Sequence, residues 1–328
     1  MRALLGAMVL AGLLGPTFGQ ADTLGFSWDN DLFLGQDKNY TNGVRFSWVG
    51  DGQDDCEHNS GATCAVARTL DPLPGISAAD ERHALTVSLE QIMITPSDIE
   101  RTTPDYNDLP YVGYANLEVG LFSWDQRNLY GYGLRVGVVG PDSGAENSQK
   151  FVHRVVGSNE PEGWDNQLGP DTIGGAWFIQ AHRLFRHTGD HGYETELGTA
   201  WGIDANNFDG HAQAGGFVRF GRNLPGNFIP DYAGIGTAGS LVGLFDRRGF
   251  GWELFLGLAG QYTGYSYIEE HAGPYDIEAR DFTGTAIGGF GLRNDGFSFT
   301  MTLQTSTSPL RDSNDPLSFG NLSFMWAI

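Results

Sequence analysis

The feature that most constrains this chain is a two-residue alternation of large apolar side chains with small or polar ones, which recurs from Leu24 onward. In residues 297–303, for example, Phe, Phe, Met and Leu occupy every second position, and Ser, Thr and Thr lie between them. A period of two places the two sets on opposite faces of a β-strand. The pattern therefore predicts an all-β protein.

Twelve segments carry this alternation. They are residues 24–34, 39–50, 83–93, 113–124, 130–140, 173–185, 192–204, 210–222, 250–264, 281–293, 295–306 and 318–328. Residues 234–246 are glycine-rich and alternate poorly, so we expect a loop there. An even number of strands lets both ends of a single-chain barrel lie on the same side of a membrane, as bacterial outer-membrane barrels require.

The polar faces of these segments distinguish a membrane barrel from a soluble sandwich, which also alternates. They carry glycine and charged residues, which suit a packed polar lumen, and aromatic residues gather at segment ends, where membrane girdles lie. Glycine, at 48 residues, is about twice its usual share, which excludes a helix bundle. We therefore predict a transmembrane antiparallel β-barrel of about twelve strands. The lumen charges expected to neutralise one another are Arg45, Glu90, Glu118, Arg135 and Arg219.

The first residues predict export. An apolar run at residues 3–14, preceded by Arg2, is too short to span a bilayer, and small residues follow it, as in a secretory signal peptide. We expect residues 1–21 to be the signal peptide and residues 22–328 to be the barrel domain, located in the bacterial outer membrane.

Charge and cysteine content narrow the partners and the compartment. Lys and Arg number 19 against 40 Asp and Glu, and the formal net charge of -21 opposes binding to nucleic-acid phosphates. Nothing in the sequence implies a protein partner. An exported chain permits a disulfide between Cys56 and Cys64, and two free thiols are the alternative.

One loop contains a clear helix signal. If the first strand runs outward, the loops after strands one, three and five share the outer end, where function is expected to collect. In the third of these loops, residues 141–172, Ser143 and Glu146 form a capping-box pattern. The helical segment 144–156 then ends at Gly157, where a C-terminal glycine cap belongs.

Gln149 and His153 are four residues apart on this predicted helix and therefore lie on one face of it. A histidine beside a hydrogen-bonding neighbour suits general-base work near neutral pH, so both are candidate catalytic residues. An ordinary solvated histidine on a surface helix is the alternative.

Oxygen-bearing residues gather near the outer ends of the first two strands. Continued alternation places Asp31 and Thr41 on the lumen side, beneath the helix, and Asn30 outward. Carboxylate and amide oxygens suit calcium, so Asp31 and Asn30 are candidate ligands, with Glu90 of the third strand as a further one. Plain turn chemistry is the alternative for residues 41–43. The sequence contains no G-x-S-x-G elbow, H-E-x-x-H helix or Walker loop.

Taken in order, these motifs resemble the outer-membrane lipid A 3'-O-deacylase family. The resemblance is carried by Asp29-Asn30-Asp31, Tyr40-Thr41-Asn42-Gly43, Gln91 with Thr95-Pro96, Gly140-Pro141, Gln149-x-x-x-His153 and Gly163-Trp164-x-x-Gln167-Leu168. It covers most of the mature chain. It implies a twelve-stranded barrel that removes the 3'-linked acyloxyacyl group from lipid A in a calcium-dependent reaction, at an outer rim facing the outer leaflet of lipopolysaccharide.

Carried onto this sequence, the resemblance implies that His153 is the base that activates water and that Gln149 is its neighbour. Asn30, Asp31 and Thr41 would position calcium and substrate. Calcium would stabilise the oxyanion, so no serine nucleophile is required. The alternatives are a non-enzymatic barrel, either channel or structural, and a calcium-dependent phospholipase. A capped helix that presents a histidine at the rim favours a hydrolase over a channel.

Overall fold

The computed structural model describes residues 22–30, 39–231 and 237–328, and within them the chain forms twelve antiparallel strands. They are β1 (Thr23–Asn30), β2 (Asn39–Val49), β3 (Arg82–Thr95), β4 (Val112–Trp124), β5 (Asn128–Val139), β6 (Asp171–Thr188), β7 (Tyr193–Asn206), β8 (Asp209–Arg222), β9 (Phe250–Ser266), β10 (Phe282–Asn294), β11 (Phe297–Ser306) and β12 (Leu317–Ala327). Each strand pairs with its neighbours in sequence, and β1 pairs with β12, which closes the barrel. The predicted fold and strand number are confirmed. The predicted signal peptide, residues 1–21, lies outside the described residues.

Four α-helices lie in the described loops. They are α1 (Ala62–Leu70), α2 (Ala145–Val156), α3 (Thr237–Leu241) and α4 (Tyr267–His271). Within the described ranges, no helix has both the length and the apolar content needed to cross a membrane. We call the end of the barrel where β1 ends and β2 begins the outer end, and the end where β1 begins and β12 ends the inner end.

The two faces of the wall differ as the alternation predicts. Leu89, Leu134 and Leu256 point away from the lumen and are each more than half exposed. Residues of the other parity, such as Glu118 and Arg219, are buried in the lumen. The outward face is therefore an apolar belt around a polar interior, as in a membrane barrel.

The outer half of the lumen contains four of the five charges predicted to neutralise one another, Arg45, Glu90, Glu118 and Arg135, whereas Arg219 pairs with Glu196 and Glu253 in a separate cluster. Arg45 Nη2 contacts Glu90 Oε1 at 2.5 Å, and Arg135 Nε donates to Glu118 Oε1 at 2.8 Å. Arg135 Nη1 also lies 2.8 Å from a carboxylate oxygen of Asp204 on β7. These contacts join nearby strands along the lumen face of the wall, so the charges compensate one another and stabilise the barrel interior.

A second network, in the inner half of the lumen, centres on Glu196. An extra residue at Leu184 interrupts the β6–β7 register, so Arg183 and Arg186 both turn inward. Arg183 Nε and Arg186 Nη1 contact Glu196 Oε2 at 2.9 Å and 3.1 Å, and the fully buried Arg219 contacts Oε1 through its Nε at 2.8 Å. One carboxylate thus accepts from three arginines.

The loop between β8 and β9 fills the lumen beside this network. Its Phe228, Ile229 and Leu241 are buried against Phe122 and Ile179 of the wall. Wall arginines also donate to its backbone: the donors are Arg183, Arg186, Arg219 and Arg293, and the acceptors are the carbonyls of Asn223, Leu224, Pro225, Gly226 and Asn227. The segment expected to be a loop is therefore a packed plug in its described part, and it forms no strand.

The loop between β2 and β3 packs on the outside of the wall at the inner end. Cys56 and Cys64 form a disulfide, which confirms one of the two sequence alternatives. The disulfide and Ala67 of α1 are buried against the outward-facing Leu121 of β4. Tyr132 of β5 donates a hydrogen bond from its hydroxyl to the carbonyl of Pro74 in the same loop. The loop therefore covers the inner part of the apolar belt on these strands.

Candidate active site

The predicted loop helix forms as α2, and its C-terminal cap is as expected, with Gly157 in the left-handed conformation. Its start differs from the prediction. Ser143 lies in a tight turn and donates from Oγ to the carbonyl of Gly140 at 2.6 Å, while Glu146 pairs with Lys150 at 2.7 Å. The capping-box prediction is therefore wrong, because the turn before the helix already uses the serine.

The helix α2 lies against the outer face of the wall, and not over the lumen as expected. Gly113 of β4 shares its parity with the exposed, outward-facing Leu117. A Cβ at Gly113 would come within 2.3 Å of Ser143 Oγ and 2.7 Å of Ala145 Cβ. The glycine thus permits the close approach of the helix start to the wall.

The neighbouring strand supports the same contact. On β3 the outward positions continue from Leu89 to Gln91 and Met93. Gln91 Nε2 donates to the Ser143 carbonyl at 2.6 Å, and Met93 is buried in one cluster with Ala145. These contacts place α2 at the outer end of β3 and β4, on the apolar side of the wall.

Gln149 is directed toward the wall and is 2% exposed. Its Oε1 accepts a hydrogen bond of 2.7 Å from Trp164 Nε1, and the Trp164 ring packs on the ring of Tyr111 with centroids 4.8 Å apart. Its Nε2 is buried and has no hydrogen-bond partner among the described residues. A buried, unpaired amide donor costs about 1–3 kcal/mol, so this group is poised to donate to a bound molecule.

His153 follows one turn later and is half-buried. Its Nδ1 lies 2.6 Å from the carbonyl oxygen of Asn159, which can only accept, so Nδ1 carries the proton. In a neutral imidazole the other nitrogen, Nε2, is then free to accept a proton. The loop after the helix therefore fixes the tautomer that a general base requires.

Trp164 and Tyr111 have roles that the sequence alone did not reveal. Trp164 is 1% exposed and holds the carbonyl end of Gln149, which leaves the amide end to the site. Burial raises the pKa of Tyr111 to about 12, and its hydroxyl donates to the Ile99 carbonyl at 2.9 Å. The only sequence signal for this support was the Gly163-Trp164 motif.

The strand residues of the predicted site are described in part. Asn30 ends β1, is buried, and continues the outward alternation of Leu24. It pairs in register with Asn42, which pairs with Met93 beneath α2, so Asn30 lies two strands, or about 10 Å, from the helix contact. Thr41 lies at an irregularity in the β2–β3 register. Its side chain and the whole of Asp31 lie outside what the structure describes.

Glu90 lies apart from these residues. It faces the lumen, where Oε1 accepts from Arg45 and Oε2 accepts from Asn116 Nδ2 at 2.8 Å. Its neighbour Gln91 is the residue that faces α2. We therefore leave Glu90 out of the site, because the wall separates its carboxylate from Gln149 and both of its oxygens are engaged.

The residues that could hold calcium are Asn30 and Asp31. Across the described ranges, no three His, Cys, Asp or Glu side chains are grouped in a way that could hold a metal ion. The amide oxygen of the buried Asn30 is a hard donor of the kind calcium prefers, and Asp31 would contribute the carboxylate charge next to it. The donor types of these two residues thus fit calcium.

Comparisons with known proteins found a family model and solved structures that are similar to this chain. A family model described as outer membrane protein LpxR matches residues 4–328. The solved structure of LpxR from Salmonella typhimurium aligns with a TM-score of 0.73 at 17% identity, over 93% of this chain and 100% of that one. The β-domain of the Bordetella autotransporter BrkA aligns with a TM-score of 0.43 at 9% identity, over 94% and 99% respectively. No curated protein matches the sequence.

Proposed function

Because the chain belongs to the LpxR family of outer membrane proteins, we propose that it is a lipid A deacylase that hydrolyses the 3'-linked acyloxyacyl ester in the outer leaflet. One observation carries the proposal most directly. A buried amide donor without a partner in the described residues, on Gln149, lies one helical turn from His153 on the lipid-facing side of the wall. A lipid ester can reach this side without entering the lumen.

The chemistry follows from these two side chains. His153 Nε2 accepts a proton from water as the water oxygen attacks the ester carbonyl carbon, and the carbonyl electron pair moves onto oxygen. When the tetrahedral intermediate collapses, the imidazolium returns the proton to the departing sugar oxygen, which releases a fatty acid and a free hydroxyl. The Gln149 amide donates to a substrate oxygen during both steps. General-base help of this kind contributes roughly 10² to 10⁴ in rate.

Calcium bound by Asn30 and Asp31 would polarise the ester carbonyl and compensate negative charge on its oxygen. Thr41, at the start of β2, would position the substrate from the neighbouring strand. The proposal rests here on the donor types and on the pairing of Asn30 with Asn42, which is next to Thr41 in the sequence.

The test is mass spectrometry of lipid A from Gram-negative cells that express this chain, its His153→Ala variant, or a His182→Ala control. His182 is also on the outward face of the wall but belongs to the inner part of β6, where it contacts Asn128. We expect loss of the 3' acyl mass with the unmodified chain and the control, but not with His153→Ala or after chelation of calcium. Hydrolysed phospholipid with unchanged lipid A would instead indicate a phospholipase. No ester cleavage in either pool would indicate a structural barrel.

A further inference from the structure

The outward face of β4 is covered by loop segments at both of its ends, and the two covered positions are separated by less than the height of a membrane. Leu121 is 1% exposed because the loop with α1 packs on it, and Gly113 is covered by the start of α2. These residues are eight apart, about 27 Å along a strand and about 20 Å in height at a normal barrel tilt. An outer-membrane barrel presents an apolar band about 25 Å tall. The covering segments therefore reach into the membrane on this side.

The helix α2 has the side chains for such a position. Its wall-facing side contains Ala145 and Gln149, which are buried, whereas Phe151 and Val155 are 62% and 60% exposed. Residues 151 and 155 are four apart and form one stripe, which points away from the wall. A large aromatic and a β-branched apolar residue in one exposed stripe indicate contact with an apolar medium.

Cations border the same stripe. Lys150 and Arg154, again four apart, lie between the apolar stripe and Glu146 on the helix surface. Only two lysines occur in the sequence, Lys38 and Lys150, in a chain with a net charge of -21, and Lys150 lies on the outer-end helix α2. A hydrogen bond from Lys150 to Glu146 raises the pKa of the lysine, so the ammonium remains charged. The cations therefore match an anionic headgroup layer.

We propose that α2 lies in the outer-leaflet interface, with Phe151 and Val155 among acyl chains and with Lys150 and Arg154 against the phosphate groups of lipid A. The helix would then hold the ester at the height of Gln149 and His153. The identification of the lipid as lipid A rests on the proposed function, whereas the position of α2 in the membrane interface does not.

The depth is tested with spin labels on the full chain in vesicles of phosphatidylethanolamine and lipid A. Single Phe151→Cys and Val155→Cys variants are labelled, because the two native cysteines are bonded to each other. Leu89→Cys is the lipid-facing reference, and Glu160→Cys, on the exposed segment after the helix, is the water-facing one. We expect the spin labels at positions 151 and 155 to have a high collision rate with oxygen, which dissolves in the bilayer, and a low collision rate with a water-soluble nickel chelate. The label at position 89 should show the same pattern. Accessibility like that of label 160 would overturn the proposal.

Kinetics with vesicle-borne lipid A test the same residues during turnover. We expect Phe151→Asp to raise the apparent KM about 10-fold with little change in kcat, and Phe151→Leu to restore it. Asn147→Asp is the matched charge control on the same helix, because Asn147 is already polar and exposed. A loss of kcat at unchanged KM would contradict a role in binding the leaflet.

Lys150→Gln and Arg154→Gln should each raise KM about fivefold on phosphorylated lipid A, less at high salt, and should have no effect on dephosphorylated lipid A. Equal effects on both substrates would contradict phosphate contact. If the labels lie in the bilayer but the unmodified protein does not cleave lipid A, the leaflet position of α2 stands and the deacylase proposal fails. If the labels are exposed to water in a protein that cleaves lipid A, the deacylase proposal stands and the leaflet position fails.

Discussion

Glu90 and Gln91 are neighbours on β3, yet they belong to two different regions of the molecule. Glu90 faces the lumen, where its carboxylate accepts from Arg45 and Asn116. Gln91 faces outward, and its amide donates to the carbonyl of Ser143 in the turn before α2. The lumen side is a network of charges, whereas the side under α2 is built from neutral groups.

The difference bears on where we propose the site of this barrel to lie. Both oxygens of Glu196 accept hydrogen bonds from arginines. We therefore assign this part of the lumen a structural role, in which it joins the wall to the plug. Under α2, by contrast, the buried Gln149 amide keeps a donor without a partner in the described chain, one helical turn from the half-buried His153. Charge density alone would select the lumen and not the outer face, where we propose the site.

The strongest way to break this comparison is to remove the proposed base. His153→Gln should lower the rate of lipid A deacylation by about 10² to 10⁴, because the proton acceptor is lost. The midpoint of thermal unfolding in detergent should stay close to that of the unmodified protein, since His153 lies on the surface of a loop helix. His182→Gln, the same change on the inner part of the outward face, should retain full activity. Equal losses in the two variants would show that the comparison is wrong.

The lumen is tested by Glu196→Ala. Three arginines would lose their shared carboxylate in a buried setting, so we expect the free energy of unfolding to fall by about 3–5 kcal/mol. Unfolding in urea, followed by the change in gel mobility of the barrel, measures this loss. Glu278→Ala, which breaks an exposed pair with Arg311, should have little effect. Activity per folded molecule should be unchanged in both variants, and a specific loss in Glu196→Ala would place part of the site in the lumen.

Gln91→Leu should have an intermediate effect on the outer face. Loss of the hydrogen bond to Ser143 loosens the start of α2, and we expect kcat to fall about 10-fold, equivalent to about 1.4 kcal/mol. Gln180→Leu is the matched control, because Gln180 is also an outward glutamine that bonds to Trp201, but it lies farther toward the inner end, opposite Tyr130 near the start of β5. Steady-state kinetics on lipid A vesicles measure both. An unchanged rate in Gln91→Leu would show that the wall does not position the helix.

The barrel was predictable because its determinants are local. Alternation fixes which residues face the lumen, and Phe297 to Leu303 alternate in the structure as they do in the sequence. The strand number and the loop position of Gln149 follow from the same period. The plug between β8 and β9 was not predictable, because its apolar residues, such as Phe228 and Leu241, follow no period and are fixed by contacts with distant strands.

The site was predictable only as a set of residue types. Helical spacing related Gln149 to His153, but the face of the wall on which α2 packs depends on Gly113 and Met93, whose contact with the helix is long-range. Alternation placed Glu90 among the lumen charges near the outer end, but its direct pairing with Arg45 depends on the register between β2 and β3, which alternation does not fix. Motif order added the Gly163-Trp164 pair, but its hydrogen bond to Gln149 required the folded loop.

The smallest expected effect is that of Glu90→Gln, and it sharpens the comparison because the change is one residue from Gln91. Glutamine keeps an oxygen that can accept from Arg45, which also lies 3.5 Å from Glu118, so the lumen network should persist. We expect the deacylation rate to change less than about twofold, equivalent to about 0.4 kcal/mol, and the calcium concentration for half-maximal activity to stay the same. A calcium titration of the two proteins measures both quantities. A higher calcium concentration for half-maximal activity would indicate that Glu90 is a calcium ligand. It would then contradict the separation of a structural lumen face from a catalytic outer face at β3.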